Sequence, residues 1–137
     1  MDYNDTPFKS YEFEFDGYPA FAIINSTLDG FDNKAAYPVS VFIGIEPEQV
    51  DENGHPSDAE YEYLEAIESR LLEKLKPYDV IYVGHTTIPQ RREIIFYIPN
   101  DESLIAFFEE WGTTTGRLTD VDIEEDADWE NIQAFID

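Results

Sequence analysis

Residues 56–97 constrain the fold more than any other part of the chain. They carry a capped amphipathic helix, followed at once by two strand-like runs and a turn between them. A helix stripe that must be buried beside two strands calls for a layered α+β domain. Ser57 stands three residues before Glu60, the spacing of a capping box. The serine oxygen is expected to accept from the Glu60 amide while the glutamate reaches back to the Ser57 amide. Asp58, Glu60 and Glu62 suit the positive end of the helix dipole. Lys74 and Lys76 suit the negative end, and Pro77 stops the run. Tyr61, Leu64, Ile67, Leu71 and Leu75 recur at three and four residues and form one apolar stripe, which Tyr63 and Leu72 widen. Glu62, Glu65, Glu68, Arg70 and Glu73 are expected to face water.

The following segment, 78–85, is rich in Val, Ile and Tyr and reads as a strand. Residues 86–90 hold Pro89 and read as a turn, and 91–98 as a second strand. In the second strand Arg92, Ile94, Phe96 and Ile98 share one face, and Glu93, Ile95 and Tyr97 the other. The second face is mixed, so that side of the sheet is expected to be partly exposed.

Before this unit, Tyr11, Phe13 and Phe15 alternate with acids, Asp16-Gly17 is a hairpin signal, and 18–24 returns as a strand with Pro19 at its entry. Residues 25–36 read as a loop and 37–45 as the most apolar strand. After it, Asn100 or Asp101 caps a second helix with Leu104, Phe107, Phe108 and Trp111 inward. The segment 112–116 ends that helix, and 118–123 alternates as a last strand. Asp126 or Asp128 caps a terminal helix that turns Trp129, Ile132, Phe135 and Ile136 inward. The expected organisation is a single domain: a loose arm over 1–9, a hairpin over 10–24, a core over 37–124 and a helix over 126–136. The core order, β-α-β-β-α-β, is that of a ferredoxin-like fold.

Charge bounds the function. The 137 residues hold 31 acids against 8 bases, a net of −23. Such a surface repels nucleic acid and anionic lipid, and it draws in a basic protein. A salt-adapted surface with no basic partner is the alternative. No apolar run reaches the ~20 residues of a membrane helix, and the N-terminus does not read as a signal peptide. The absence of cysteine excludes disulfides and thiolate chemistry and suits a cytoplasmic location.

The candidate chemistry is sparse. His55 falls in a loop and His85 at a strand end, and neither has a partner at metal-ligand spacing. Gly112-Thr-Thr-Thr-Gly116 shares only its glycines with a phosphate loop and reads as a helix C-cap and turn. Residues 51–54 lack the ligand pattern of a calcium loop. Acid pairs such as Glu12 and Glu14 carry no signal among so many carboxylates. No cofactor, metal site or catalytic group is expected. A hydrolase or metal-binding enzyme using surface carboxylates is the rival class. Arg91 and Arg92, followed by Glu93, form the only adjacent basic pair and point to an internal ion pair or to an anion or partner contact. Asp120, Asp122, Glu124, Glu125, Asp126 and Asp128, continued by Glu130, form the densest acidic run and the expected docking surface for lysines and arginines.

Gly54-His-Pro-Ser57 leading into Glu60-Tyr-Glu-Tyr-Leu64, then Tyr82-Val-Gly-His85, Arg92-Glu-Ile-Ile-Phe-Tyr97 and Asp126-Ala-Asp-Trp-Glu130 resemble, in that order, a bacterial family of uncharacterised domains. That family is related to, or found beside, the regulator of ribonuclease E activity B (RraB-like) proteins. The resemblance spans nearly the whole chain from Tyr11 and implies a ferredoxin-like α+β fold without implying an activity. RraB-like proteins are small acidic proteins that bind and inhibit a ribonuclease. The expectation is therefore a non-enzymatic acidic protein that masks a basic partner, plausibly a nuclease or a toxin.

Overall fold

The computed structural model describes residues 6–136. Six strands form one antiparallel sheet: β1 (Phe8–Phe15), β2 (Tyr18–Asn25), β3 (Val39–Ile45), β4 (Ile81–Ile88), β5 (Arg91–Ile98) and β6 (Thr119–Glu125). Across the sheet they lie in the order β1-β2-β4-β5-β3-β6. Two α-helices, α1 (Asp58–Leu75) and α2 (Glu102–Trp111), connect β3 to β4 and β5 to β6. The architecture is α+β. Phe8 and Lys9, expected in the arm, already belong to β1, and residues 1–5 of that arm lie outside the described residues.

Both helices cover the same face. Leu64, Ile67, Leu71 and Leu75 of α1 and Leu104, Phe108 and Trp111 of α2 pack on Val41, Ile43, Ile94, Phe96 and Ile98. Asp101 caps α2 by accepting from the Ser103 and Leu104 amides. Ser57 caps α1 by accepting from the Glu60 amide. The reciprocal half of the expected capping box does not form. Ser57 N donates to Gln49 O, and the Glu60 carboxylate turns to Arg117 and the Glu48 amide. An arginine fork offers a carboxylate stronger bonds than one backbone amide.

The opposite face is covered over most of its area and, along β5, is partly exposed only toward Arg91 and Glu93. Ile95 and Tyr97, with Ala22, Ile24 and Val83, lie under a second core built by Leu28, Trp129, Ile132 and Ile136. Trp129 is its centre. Its ring stacks on Tyr97 at 4.2 Å and on Phe31 at 5.2 Å, and its Nε1 donates to Tyr37 O. The expected terminal α-helix is replaced by a 3-10 segment, Glu130–Phe135. Trp129 enters it with a φ of 58°, in the left-handed region. Asp126 stabilises this tighter turn by accepting from the Glu130 and Asn131 amides. Burying the indole on the sheet sets the chain's path here, and helical periodicity gives way.

β4 runs later than expected, through Ile88, because the turn is only Pro89-Gln90. It also carries a bulge between Tyr82 and Gly84. Gly84 has a φ of 139°, and a Cβ there would stand 1.9 Å from Ile23 O. Only glycine allows β2 to lie so close. The bulge has a consequence for direction. Tyr82 and His85 are three residues apart and would point to opposite faces of a regular strand; after the extra residue both point toward α1.

Trp129→Ala should destabilise the domain by about 3–5 kcal/mol and Leu71→Ala by about 2–5 kcal/mol, since each opens a cavity in one of the two cores. Leu118→Ala, at a side chain 73% exposed, should stay within about 0.5 kcal/mol of the parent. Urea titrations check all three, and a wild-type-like Trp129→Ala would mean that the second face is not a core.

Candidate functional site

α1 buries a charge under its own stripe. Glu68, expected in water, is only 4% exposed. It stands four residues after Leu64 and three before Leu71, on the face that meets the sheet. The sheet answers with Arg92, which is in phase with Ile94, Phe96 and Ile98 and is 1% exposed. Arg92 donates to Glu68 Oε1 from Nε at 2.9 Å and from Nη2 at 2.8 Å. Nη2 also donates to Glu65 Oε1 at 2.7 Å, and the guanidinium lies 5.3 Å from the Tyr61 ring centre. Arg92 Nη1 is buried without a partner.

The other carboxylate oxygen, Glu68 Oε2, accepts from the Tyr82 hydroxyl and from His85 Nδ1, the latter at 3.1 Å. The bulge in β4 brings both donors to this point. Burial opposes ionisation of Glu68, but His85, Arg92 and Tyr82 outweigh it and hold the carboxyl down at about 2. Burial and the neighbouring Glu68 charge raise the Tyr82 phenol well above its ordinary range. For Arg92, burial works against the cation, and Glu68 and Glu65 more than compensate.

These contacts settle the histidine tautomer. An ionised carboxylate only accepts. Arg92 Nη2 lies 3.3 Å from His85 Nδ1, but its two hydrogens already serve Glu65 and Glu68. His85 Nδ1 therefore carries a proton toward Glu68, and in the neutral ring Nε2 is left as an acceptor.

His85 borders two clefts. One, of about 420 Å³, is lined by Tyr11, Glu12, Phe21, Ile23, Asp51, His55, Tyr61 and His85 among others. The second, of about 380 Å³, shares Ile23, Tyr61 and His85. They lie beside α1, where the β1-β2 hairpin extends the sheet. Ser10 also lines the first cleft, but the row across the sheet runs Ser10, Ile23, His85, so an isoleucine stands between the two positions. His55 is held separately: its Nε2 lies 2.6 Å from Pro19 O and its ring meets Phe21 edge-on. Among the described residues no group of three His, Cys, Asp or Glu side chains is arranged to hold a metal ion.

The adjacent arginines part company. Arg91 points to the other face, crosses Gly44 and joins Glu93 to Asp120, with two bonds to Asp120 at 2.7 and 3.0 Å. A Cβ on Gly44 would occupy the place of the guanidinium. The acidic run is likewise divided. Asp120 is held by Arg91, and Asp126 accepts from the Tyr97 hydroxyl and caps the last turn. Asp122, Glu124, Glu125 and Asp128 stand exposed along and just beyond the edge strand β6. Glu60 with Arg117, which stacks 4.1 Å over Tyr63, forms another bridge from α1 to the loop before β6.

The chain belongs to a family of unknown function (DUF695), whose pattern matches residues 8–136. No curated protein and no solved structure matches it.

Glu68→Leu should cost about 3–5 kcal/mol, because it leaves the Arg92 cation buried beside only the half-exposed Glu65. Arg92→Met added to it should recover part of that loss, which a double-mutant cycle in urea reads directly. The depressed Glu68 pKa makes its contribution complete above about pH 4.5, and it fades as pH falls toward 2. Acid unfolding of Glu68→Gln should therefore lack a wild-type slope worth about 3 kcal/mol across that window. Equal slopes would show that Glu68 is not ionised in the folded protein.

Proposed function

We propose that this DUF695 domain is a non-enzymatic acidic binding domain that docks against a basic protein and masks it. The observation that carries this reading is the set of free carboxylates at the β6 edge: Asp122, Glu124, Glu125 and Asp128 are exposed, and no cation among the described residues bridges them. The chain's cations are largely engaged elsewhere. Lys9, Lys76, Arg91, Arg92 and Arg117 each meet a carboxylate of the chain itself. What remains toward solvent is an acidic field that speeds encounter with a positive surface. Acids on an edge strand also discourage pairing with another strand, so this edge favours a side-chain contact over sheet extension.

The core is read as ferredoxin-like, supported by the strand order β6-β3-β5-β4 with both helices on one face. Kinship with RraB-like proteins rests on the sequence resemblance, and it makes a nuclease, whether a housekeeping ribonuclease or a delivered toxin, the partner class to try first. A cytoplasmic setting suits such a partner. No helix among the described residues is long and apolar enough to cross a membrane.

Changing Asp122, Glu124, Glu125 and Asp128 together to Asn or Gln should slow association with a recovered basic partner and flatten its salt dependence, while the dissociation rate changes little. Thermal stability should hold or rise, because like-charge repulsion falls. Binding kinetics at low and high salt make the comparison. An unchanged on-rate and salt slope would assign these acids to solvation alone.

A further inference from the structure

We propose that the cleft over His85 is a binding site for a small planar aromatic cation, of the aryl amidine or protonated heteroaromatic amine class. This site is separate from the β6 edge and does not depend on the basic-partner reading.

Three observations converge on that ligand. The first is shape and lining. α1 and α2 cover the other strands, whereas the β1-β2 hairpin leaves Phe21 and Tyr61, 37% and 40% exposed, facing a cleft of about 420 Å³. Pockets of that size with aromatic walls hold small ligands. The second is charge. Among the described residues, the ionisable side chains lining the cleft are Glu12, Asp51, Tyr61 and the two histidines, with no lysine or arginine; Tyr11 lines it too, but its hydroxyl is turned to Phe135 O on the other face. The His55 amide, against an opposing effect of burial and with help from the Asn53 amide, holds the Asp51 carboxyl below its ordinary range. Beneath the floor, Glu65 and Glu68 share one full cation among the described residues, Arg92. The field in the cleft therefore favours a cation and disfavours an anion. The third is hydrogen bonding. With Nδ1 committed to Glu68, the neutral His85 ring presents Nε2 as an acceptor, which suits a ligand N–H. Tyr61 already accepts the Arg92 guanidinium near its ring, so a second cation–π contact is in keeping with its use here.

The pieces fit one pose. The ligand ring lies against Phe21 and Tyr61, and its N–H groups point to His85 Nε2 and the Glu12 carboxylate. The bulge at Gly84 is then a specificity device as well as a structural one, because it turns His85 toward this cleft and away from the Trp129 core.

The test is an NMR titration of the labelled, full-length chain with benzamidine, neutral benzamide and benzoate. Benzamidine should give saturable shifts at Phe21, Ile23, Tyr61 and the His85 ring. Benzamide should bind at least about tenfold more weakly, and benzoate should not bind. Phe21→Ala and Tyr61→Ala remove exposed rings and should each weaken benzamidine at least about fivefold with the amide spectrum otherwise preserved. Glu124→Gln, on β6, should leave its affinity unchanged. The proposal is overturned if benzamidine does not saturate, if benzoate binds as well, if both ring variants bind like the parent, or if the shifts map to the β6 acids.

Discussion

A single carboxylate, Glu68, holds three elements of this domain in register. It accepts from Arg92 on β5 and from Tyr82 and His85 on β4, and it sits in the middle of α1. Four donors converge on two oxygens, enough to keep a buried carboxylate charged. A buried ion pair is weak evidence for net stability, since apolar residues of similar volume often serve as well. Its effect here is on geometry. It fixes how α1 lies along the β4-β5 hairpin, it sets the His85 tautomer, and through Arg92 it places Tyr61 at the cleft wall.

The second constraint is that the sheet is covered on both faces by different means. Helices cover one face with aliphatic stripes. The other is covered by short 3-10 turns and loop aromatics, with Trp129 stacked between Tyr97 and Phe31. The helices leave the α1 side of the β1-β2 hairpin open, and the clefts form there. The acidic rail lies at the other edge, on β6. Two candidate surfaces thus stand at opposite edges of one sheet.

Much of this was legible in the sequence, and the failures have physical causes. The α1 stripe, the Asp101 cap, the Asp16-Gly17 hairpin turn with both residues at positive φ, and the alternation along β6 follow from local rules. Polarity alone puts Glu68 in water, whereas its phase on the helix puts it in the core. Its spacing from Leu64 and Leu71 puts it on the buried stripe, and Arg92 lies in phase with Ile94, Phe96 and Ile98. Opposite charges on two facing apolar surfaces were the available signal. The bulge at Gly84 left none in the alternation pattern, because a single extra residue changes the face without changing composition. The fate of Trp129 depended on Phe31 and Tyr37, almost a hundred residues earlier, where no local periodicity reaches.

The account rests on an ionised Glu68 holding the proton of His85 on Nδ1. Long-range proton–nitrogen correlation of the imidazole, at a pH where the ring is neutral, reports the tautomer directly. A protonated Nδ1 with a bare Nε2 is the predicted result, reverting toward the mixture of a free imidazole in Glu68→Leu. A ring protonated on Nε2 in the parent protein would contradict the account, because Glu68 would then not be the acceptor for His85 and Nε2 would not be bare.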